Sequence, residues 1–184
     1  MNTVQENMLV LVNENDEPLG LMEKMEVHRK ALLHRAFSVF IFNSEGEMLL
    51  QRRAFEKYHS GGLWTNACCS HPYPDESPVA AATRRMKEEL GFETEVVPAF
   101  HFIYKAALDN ELTEHEFDHV LVGTHDGAVF PNRDEVVDFR YIGMEALKTS
   151  LENQPDQYTA WFKIAFPLLE AYLERNNGAD HESQ

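Results

Sequence analysis

The order of elements along the sequence predicts an α+β domain or a layered α/β/α domain, in which helices flank a mixed β-sheet. Predicted strands come first, then one helix, then further strands and two closing helices, whereas a doubly wound parallel sheet would alternate strands with helices. The length of 184 residues fits a single domain of ordinary size. We assign residues 1–175 to this domain and residues 176–184 to a polar C-terminal tail that is predicted to be disordered.

The first half of the chain is predicted to supply the early strands of the sheet. A short strand covers Met8–Val12 and ends in the turn-rich segment NENDEP. Residues 36–42 (AFSVFIF) are rich in β-branched and aromatic side chains, which is typical of a largely buried strand. Residues 43–46 predict a turn and residues 47–53 the returning strand of a hairpin. The glycines and prolines of residues 58–74 predict an irregular loop.

The second half is predicted to supply one central helix, three strands and two closing helices. Pro78–Leu90 has a proline in its first turn, strong helix formers throughout and Gly91 as its stop. The strands are expected at residues 100–106, residues 114–122 and Val136–Ile142, and the closing helices at residues 144–151 and 158–175.

The composition excludes several classes of protein. Sixteen Lys and Arg against 31 Asp and Glu give a net charge of −15, so nucleic acid and anionic membranes would repel the chain. Two adjacent cysteines cannot build a disulfide framework, and no apolar run approaches the roughly 18 residues that span a bilayer. The N-terminus carries acids where a signal peptide carries basic residues. We therefore expect a soluble, cytoplasmic protein, and an anionic substrate only where the few cations converge. We also expect a monomer that acts on a small molecule.

Charged residues on the predicted central helix recur at helical spacing. Arg85 and Glu89 share one face, and Arg84 and Glu88 share the next. An exposed helix with ordinary charge pairs is one interpretation, although Arg precedes Glu in both pairs, which is the weaker orientation.

With Glu76 and Gly91, this segment resembles the Nudix box, G-x5-E-x7-R-E-U-x-E-E-x-G-U, over residues 70–92. Ser70 replaces the first glycine, and Arg85 replaces the first glutamate of the helix. The resemblance implies a Nudix-like fold. Nudix hydrolases gather carboxylates here to hold divalent cations that activate water, so an arginine suits gripping a diphosphate more than clustering metals.

The segment WTNACCSHP at residues 64–72 places a thiol and an imidazole two residues apart, and an extended chain would point Cys69 and His71 the same way. We interpret Cys68 as a small buried hydrophobe. For Cys69 the sequence leaves a buried residue and a functional thiol equally open.

The segment TEHEFDH at residues 113–119 places Glu114, Glu116 and Asp118 on one face of a strand. That face can meet solvent or offer carboxylates to a metal. His28 and His34 precede the AFSVFIF strand, and each alone is more typical of a surface or capping residue than of a ligand.

Together, WTNACCSHP, HRAFSVFIFN, LLQRR and TEHEFDH, in this order around a degenerate Nudix box, resemble type 1 isopentenyl diphosphate isomerase from about Val10 to the helix that contains Trp161. The resemblance implies isomerisation of isopentenyl diphosphate to dimethylallyl diphosphate, a step of isoprenoid biosynthesis. Protons are added and removed on opposite faces of the allylic unit, in a site that excludes water from a carbocation-like state.

The resemblance also implies the site residues. Cys69 and Glu116 match the proton-transferring pair, Tyr104 matches the tyrosine beside that glutamate, and Trp161 matches an aromatic that stabilises the cation, with core packing as its alternative. The diphosphate-binding cations correspond to Lys24, Arg53, Lys57 and Arg85. Arg52 is the alternative to Lys57.

Two kinds of metal are implied as well. A tightly bound Mn²⁺ or Zn²⁺ suits mixed imidazole and carboxylate ligands, which by motif are His28, His34, His71, Glu114 and Glu116. Mg²⁺ arrives with the substrate diphosphate and matches Glu89 and the backbone of Cys69.

Two other functions remain as alternatives. A Nudix hydrolase would cleave a nucleoside or other diphosphate with metals on Glu88 and Glu89, and Arg85 argues against it. A metal-binding module without catalysis would use its histidines and glutamates only to stabilise the fold.

Overall fold

The fold is built on one mixed sheet with helices on both sides, in a computed structural model that describes residues 7–181. The strands within this range are Met8–Val12 (β1), Pro18–Glu23 (β2), His34–Phe42 (β3), Met48–Arg53 (β4), Trp64–Thr65 (β5), Cys68–Ser70 (β6), Val96–Ala107 (β7), Thr113–Thr124 (β8) and Val136–Ile142 (β9). The helices are Lys24–Lys30 (α1), Pro78–Leu90 (α2), Met144–Asn153 (α3) and Ala160–His181 (α4), with a 3-10 helix at Pro155–Gln157.

Strand β3 organises the sheet. It runs parallel to β8 and antiparallel to β1, β4 and β6, so the sheet is mixed as predicted. In this register Glu116 of β8 lies opposite His34, and Cys69 of β6 lies opposite Ser38. β7 pairs antiparallel with β8 and places Tyr104 opposite Glu116. The pairing therefore brings several predicted site residues together before any side chain is considered.

Alternation along β3 divides the core into two layers. Phe37, Val39 and Ile41 pack with α2, whereas Phe40 packs with Phe162 of α4. Both faces of the sheet are thus covered by helices, which confirms the predicted layered architecture.

Helix α2 has the predicted bounds because its ends are fixed locally. The Ser77 side chain accepts a hydrogen bond from the Ala80 amide at 3.2 Å, and Pro78 occupies the first turn. Gly91 ends the helix with φ +74°, and a Cβ there would lie 2.5 Å from the Phe130 carbonyl oxygen. Only glycine meets both conditions without strain.

Several bounds differ from the predictions. β2 and α1 were not predicted, because β2 is exposed along nearly its whole length and α1 has only seven residues, so neither shows a clear hydrophobic period. Residues 64–70, predicted as part of an irregular loop, include the short strands β5 and β6, which pair with β4 and β3. The two strands of the β7–β8 hairpin are longer than predicted.

The C-terminal helix also extends further than predicted. Helix α4 continues to His181, so residues 176–181 are helical where the sequence predicts a disordered tail. The first part of the helix is held in the core by buried residues such as Phe162 and Leu169. Adding further turns to a helix that is already formed costs little free energy. Residues 182–184 lie outside the described residues. No helix of the described chain is long and apolar enough to cross a membrane.

Candidate active site

One cavity of about 80 Å³ collects most of the predicted site residues. Strands β4, β6, β7 and β8, helices α1, α2 and α4 and the loop that follows β4 all contribute to its wall. The predicted residues that line it are Lys24, Arg53, Lys57, Cys69, His71, Arg85, Glu89, Tyr104, Glu114, Glu116 and Trp161. His28 and His34 lie behind it, in contact with His71.

The two adjacent cysteines face opposite layers of the core. Cys68 is fully buried in the layer that contains α2, as predicted, whereas Cys69 is half-buried in the layer that contains α4 and lines the cavity. Cys69 Sγ lies 2.9 Å from Asn66 Oδ1 and 3.5 Å from Ser38 Oγ. Burial raises the pKa of Cys69, and the neighbouring Asp118 carboxyl raises it further. The cavity therefore presents a thiol rather than a thiolate.

Glu114, Glu116 and Asp118 project from one face of β8, as predicted, and all three are buried. Tyr104 Oη lies 2.7 Å from Glu116 Oε2 and 3.0 Å from Glu114 Oε2, so its single phenolic proton can be donated to either carboxyl. Burial raises the pKa of Glu114, and the charge of Glu116 adds to the effect. Burial and the same charge raise the pKa of Asp118 to about 8. Closely spaced buried carboxyls of this kind can hold and move protons.

Three imidazoles and one carboxylate converge next to these acids. Ligand atoms of His28, His34, His71 and Glu116 all lie within 4.8 Å of one another. His71 Nε2 lies 3.2 Å from His34 Nε2 and 3.1 Å from Glu116 Oε1. Burial lowers the pKa of His71 to about 3, despite opposing effects of Glu116, so this imidazole is neutral at physiological pH.

The orientation of two of these rings fits a metal ion. His28 Nδ1 lies 2.7 Å from the Lys24 carbonyl oxygen, and His34 Nδ1 lies 2.9 Å from that of Leu32. Each Nδ1 must carry the proton, which leaves an Nε2 lone pair aimed at the cluster. His28 Nε2 is buried without a hydrogen-bond partner among the described residues. Buried lone pairs that face one another are suited to a shared divalent cation.

Glu114, the fifth predicted ligand, stands apart from this group of four. Its Oε2 meets the Tyr104 hydroxyl, and its Oε1 lies 3.8 Å from His59 Nε2. Glu114 shares the cavity and the strand face with Glu116 but does not belong to the cluster within 4.8 Å.

The four predicted cationic side chains line the cavity, and each makes a different contact. Lys57 forms an ion pair with Glu135, and Arg85 contacts Glu89 at 2.6 Å. Lys24 lies over the Tyr58 ring at 4.9 Å, and burial followed by the charges of two arginines lowers its pKa. Arg53 is stacked over Trp161, with 5.1 Å between its guanidinium carbon and the ring centre. This converging positive charge offsets the acidity of the chain and can attract an anion.

Two arginines that adjoin the predicted set have other roles. Arg52 donates to the Gly62 carbonyl at 2.8 Å, lies over the Phe55 ring and is absent from the cavity wall, which Lys57 reaches. Arg84 binds Glu76 through two hydrogen bonds and stacks on Tyr73 at 3.8 Å. Arg84 thus fastens the loop before α2 to the helix.

Trp161 combines both interpretations offered by the sequence. It is 3% exposed and packs in the core layer of α4, and it also lines the cavity. Its indole can therefore present an aromatic surface to whatever the cavity holds.

Sequence reasoning missed several residues of this site. His59 lies edge-on to Trp161 with 5.7 Å between ring centres, and burial, followed by the charge of Arg53, lowers its pKa to about 3. The loop that carries His59 has no sequence pattern to indicate which of its residues would enter the cavity. Further lining residues that the sequence did not indicate are Gln51, Tyr58, Ser70 and Glu135. Ser38 was detectable in principle, as the one polar residue within AFSVFIF.

The sequence of the chain matches a known family and several named proteins. A profile of the NUDIX domain matches residues 32–162. Two proteins called isopentenyl-diphosphate Delta-isomerase, from Pectobacterium atrosepticum and Burkholderia multivorans, are 48% and 45% identical to the chain. The alignments cover 90% and 92% of this chain and 93% and 99% of the relatives.

Solved structures agree on the fold. DR0079 from Deinococcus radiodurans matches with a TM-score of 0.67 at 20% identity, over 80% of this chain and 90% of that one. The MutT protein from Methanosarcina mazei matches with a TM-score of 0.62 at 20% identity, over 78% and 95% of the two chains. Similarity at this level of identity establishes the architecture alone.

Proposed function

The chain belongs to the Nudix family and, within it, to the isopentenyl-diphosphate Delta-isomerases, and from this premise we propose that Cys69 and Glu116 are its proton-transferring pair. The enzyme converts isopentenyl diphosphate to dimethylallyl diphosphate, a step of isoprenoid biosynthesis. The supporting observation is a single cavity lined by a thiol, a tyrosine-bridged carboxyl pair and a tryptophan, with cations around it.

The reaction moves a double bond by adding one proton and removing another. Protonation of the terminal methylene carbon uses the π electrons and leaves a tertiary cation at the neighbouring carbon. Loss of a proton from the next carbon along the chain then forms the new double bond. Cys69 and Glu116 serve the two proton transfers, one as donor and the other as acceptor, and they exchange roles in the reverse direction.

Tyr104 supports the carboxylate side of this pair. Its hydroxyl is 2.7 Å from Glu116, which allows it to orient that carboxyl or to relay its proton. Trp161 supports the intermediate, because the face of an indole ring attracts a cation and its burial helps to exclude water. Neither residue needs a redox partner for these roles.

We propose that the imidazole cluster holds a tightly bound Mn²⁺ or Zn²⁺ through His28, His34, His71 and Glu116, with Glu114 as the further predicted ligand. The support is the convergence of the first four ligand atoms within 4.8 Å. A bound divalent ion stabilises the ionised form of a coordinated carboxylate. The donor set of nitrogen and oxygen atoms suits these metals better than Mg²⁺.

The diphosphate is assigned to the cation-lined part of the cavity, where Lys24, Arg53, Lys57 and Arg85 stand. We propose that Mg²⁺ accompanies it and uses Glu89 and the backbone of Cys69. Glu135 lies close to both Lys57 and Arg85 and neutralises part of their charge. A diphosphate of higher charge competes with this carboxylate for the same cations.

The decisive experiment follows isopentenyl diphosphate by NMR in heavy water. We expect deuterated dimethylallyl diphosphate without release of phosphate. Phosphate release without a shifted double bond would instead favour the hydrolase, and no turnover of either kind would favour a metal-binding module.

We further propose that residues 1–175 form one domain, which works as a monomer in the cytoplasm on a small-molecule diphosphate, without nucleic acid or membrane partners. The net charge of −15 and the two unpaired cysteines support this setting. Light scattering of the purified protein tests the oligomeric state, and a mass of twice 21.2 kDa would contradict it.

A further inference from the structure

The Cys69 thiol has a polar environment on its sheet side. Ser38 is its neighbour across the β3–β6 pair, and Ser38 Oγ lies 3.5 Å from Sγ. Behind the serine, Asp118 Oδ2 lies 2.7 Å from Ser38 Oγ. Asn66 Oδ1 lies 2.9 Å from Sγ on another side. A row of three residues, Asp118, Ser38 and Cys69, thus runs from the sheet interior to the cavity.

Asn66 can offer the thiol only an acceptor. Its Nδ2 donates to the carbonyl oxygens of Val39 and Cys68, both at 3.0 Å. These two bonds use both amide protons and fix the orientation of the side chain. The amide oxygen therefore faces Sγ and accepts from the S–H group.

Ser38 is restricted in the same way by its single proton. That proton can point to Asp118 or to Cys69, and when the Asp118 carboxyl is ionised the shorter separation of 2.7 Å assigns it to Asp118. The serine then presents only lone pairs to the thiol. In that state both hydrogen-bond partners of Sγ in the described chain are acceptors, and the S–H bond is confined to the directions they define.

The buried position of Asp118 lowers the stability of the fold, so its presence there is not explained by stabilisation. It is 1% exposed, and its Oδ1 has no hydrogen-bond partner among the residues that the structure describes. A buried polar atom without a partner destabilises the folded state. Among the described residues the side-chain hydrogen bond of Asp118 is the one to Ser38.

From this geometry we propose that Ser38 and Asp118 are positioning residues for the Cys69 thiol: Asp118 fixes the Ser38 hydroxyl, and Ser38 with Asn66 fixes the direction of the S–H bond. The proposal rests on the proposed function of Cys69. It predicts that loss of Ser38 or Asp118 slows proton transfer while substrate binding, which uses other parts of the cavity, is retained.

Kinetics of Ser38→Ala, Asp118→Ala and the double variant test the coupling between the two residues. We expect each single variant to lower kcat by about tenfold, the effect of one lost hydrogen bond, with KM changed less than about twofold. Because Asp118 acts through Ser38, the double variant should be no slower than the slower single variant. The matched control is Ser150→Ala, which removes a serine hydroxyl bonded to Tyr158 at 2.7 Å and should leave kcat unchanged. Additive losses in the double variant would overturn the proposal.

A spectroscopic measurement tests the geometry without turnover. The chain has two cysteines, so Cys68→Ala leaves the Cys69 S–H stretch as the only thiol band in the infrared spectrum. In this background Ser38→Ala should shift the band, because a polar neighbour of Sγ is lost, and Asp118→Ala should also shift it, because the freed serine hydroxyl can turn toward Sγ. An unshifted band in both variants refutes the positioning role. A wild-type enzyme that fails to isomerise refutes the proposed function instead, whatever the infrared result.

Discussion

Removal of the divalent ion proposed for the imidazole cluster is expected to lower the melting temperature of the enzyme by several degrees. The Nε2 atoms of His34 and His71 lie 3.2 Å apart, and His28 Nε2 has no hydrogen-bond partner in the described part of the chain. Without a cation, lone pairs of the histidine rings face one another. A divalent ion bound there would therefore stabilise the folded state, because the unfolded chain cannot hold it in the same way.

The size of the effect follows from mass action. Free metal at about 100 times its dissociation constant stabilises a protein by about 2.7 kcal/mol. For a domain of about 150–250 residues, each kcal/mol shifts the melting temperature by about 2–4 °C. Chelation should accordingly lower the melting temperature by about 5–11 °C.

Thermal melts before and after chelation measure this shift, with metal content determined on the same samples. Mn²⁺ and Zn²⁺ added back separately should restore the original value. His34→Ala should melt at the same temperature with and without metal. His119→Ala, which removes an imidazole bonded to Asp16 outside the cluster, should keep the full response. A chelated protein that contains no metal and melts unchanged would show that the cluster binds no stabilising ion.

Three further outcomes follow from contacts described above. Cys69→Ala and Glu116→Gln should each abolish turnover in the heavy-water assay. Cys68→Ala should keep most of it, because Cys68 lies in the opposite core layer. Substantial activity in Cys69→Ala would contradict the proton-pair assignment. Arg84→Ala should destabilise the fold at pH 7 by about 1–2 kcal/mol in urea unfolding, since it breaks a partly buried pair with Glu76 and a ring contact. Burial opposes ionisation of Glu76, but the hydrogen bonds and charge of Arg84, together with a hydrogen bond from the Tyr73 amide, lower its pKa below 4.5. The stability from this pair should therefore be present above about pH 4.5 and fade as pH falls through the lowered pKa of Glu76. An Arg84→Ala deficit that is as large at the acid end as at pH 7 would contradict the ion-pair explanation, since only the ring contact with Tyr73 should remain there.

Local signals in the sequence explain which elements could be predicted. The bounds of α2 follow from Ser77, Pro78 and Gly91, whose effects act within one turn. By contrast, β2 exposes nearly all of its side chains at the edge of the sheet, so burial imposes no alternation on its sequence. Its existence depends on pairing with β1, which no local pattern encodes.

The site, like the fold, has some features that local sequence patterns predict and others that depend on long-range contacts. Alternation on β8 predicts that Glu114, Glu116 and Asp118 share a face, and it also allows that face to meet solvent. Burial of these acids depends on the register of β8 against β3 and β7, a long-range property. The family resemblance identified site residues in separate motifs, and strand pairing brings these motifs together. It did not indicate His59, which enters the cavity through a loop whose course depends on tertiary contacts.

The exchange of glutamate for Arg85 explains how a Nudix helix can serve an isomerase. Arg85 contacts both Glu88, at 2.8 Å, and Glu89, at 2.6 Å, so the carboxylates that would gather metals in a hydrolase are neutralised by a neighbouring cation. The second oxygen of Glu89 accepts a hydrogen bond from Gln51, which leaves little capacity for several hard cations. Chemistry that activates water is thereby disfavoured on this helix. The imidazole cluster lies instead beside the β8 carboxyls. Under the proposed function, the α2 helix then supplies a cation for the diphosphate, while β6 and β8 carry the proton-transferring pair to the same cavity.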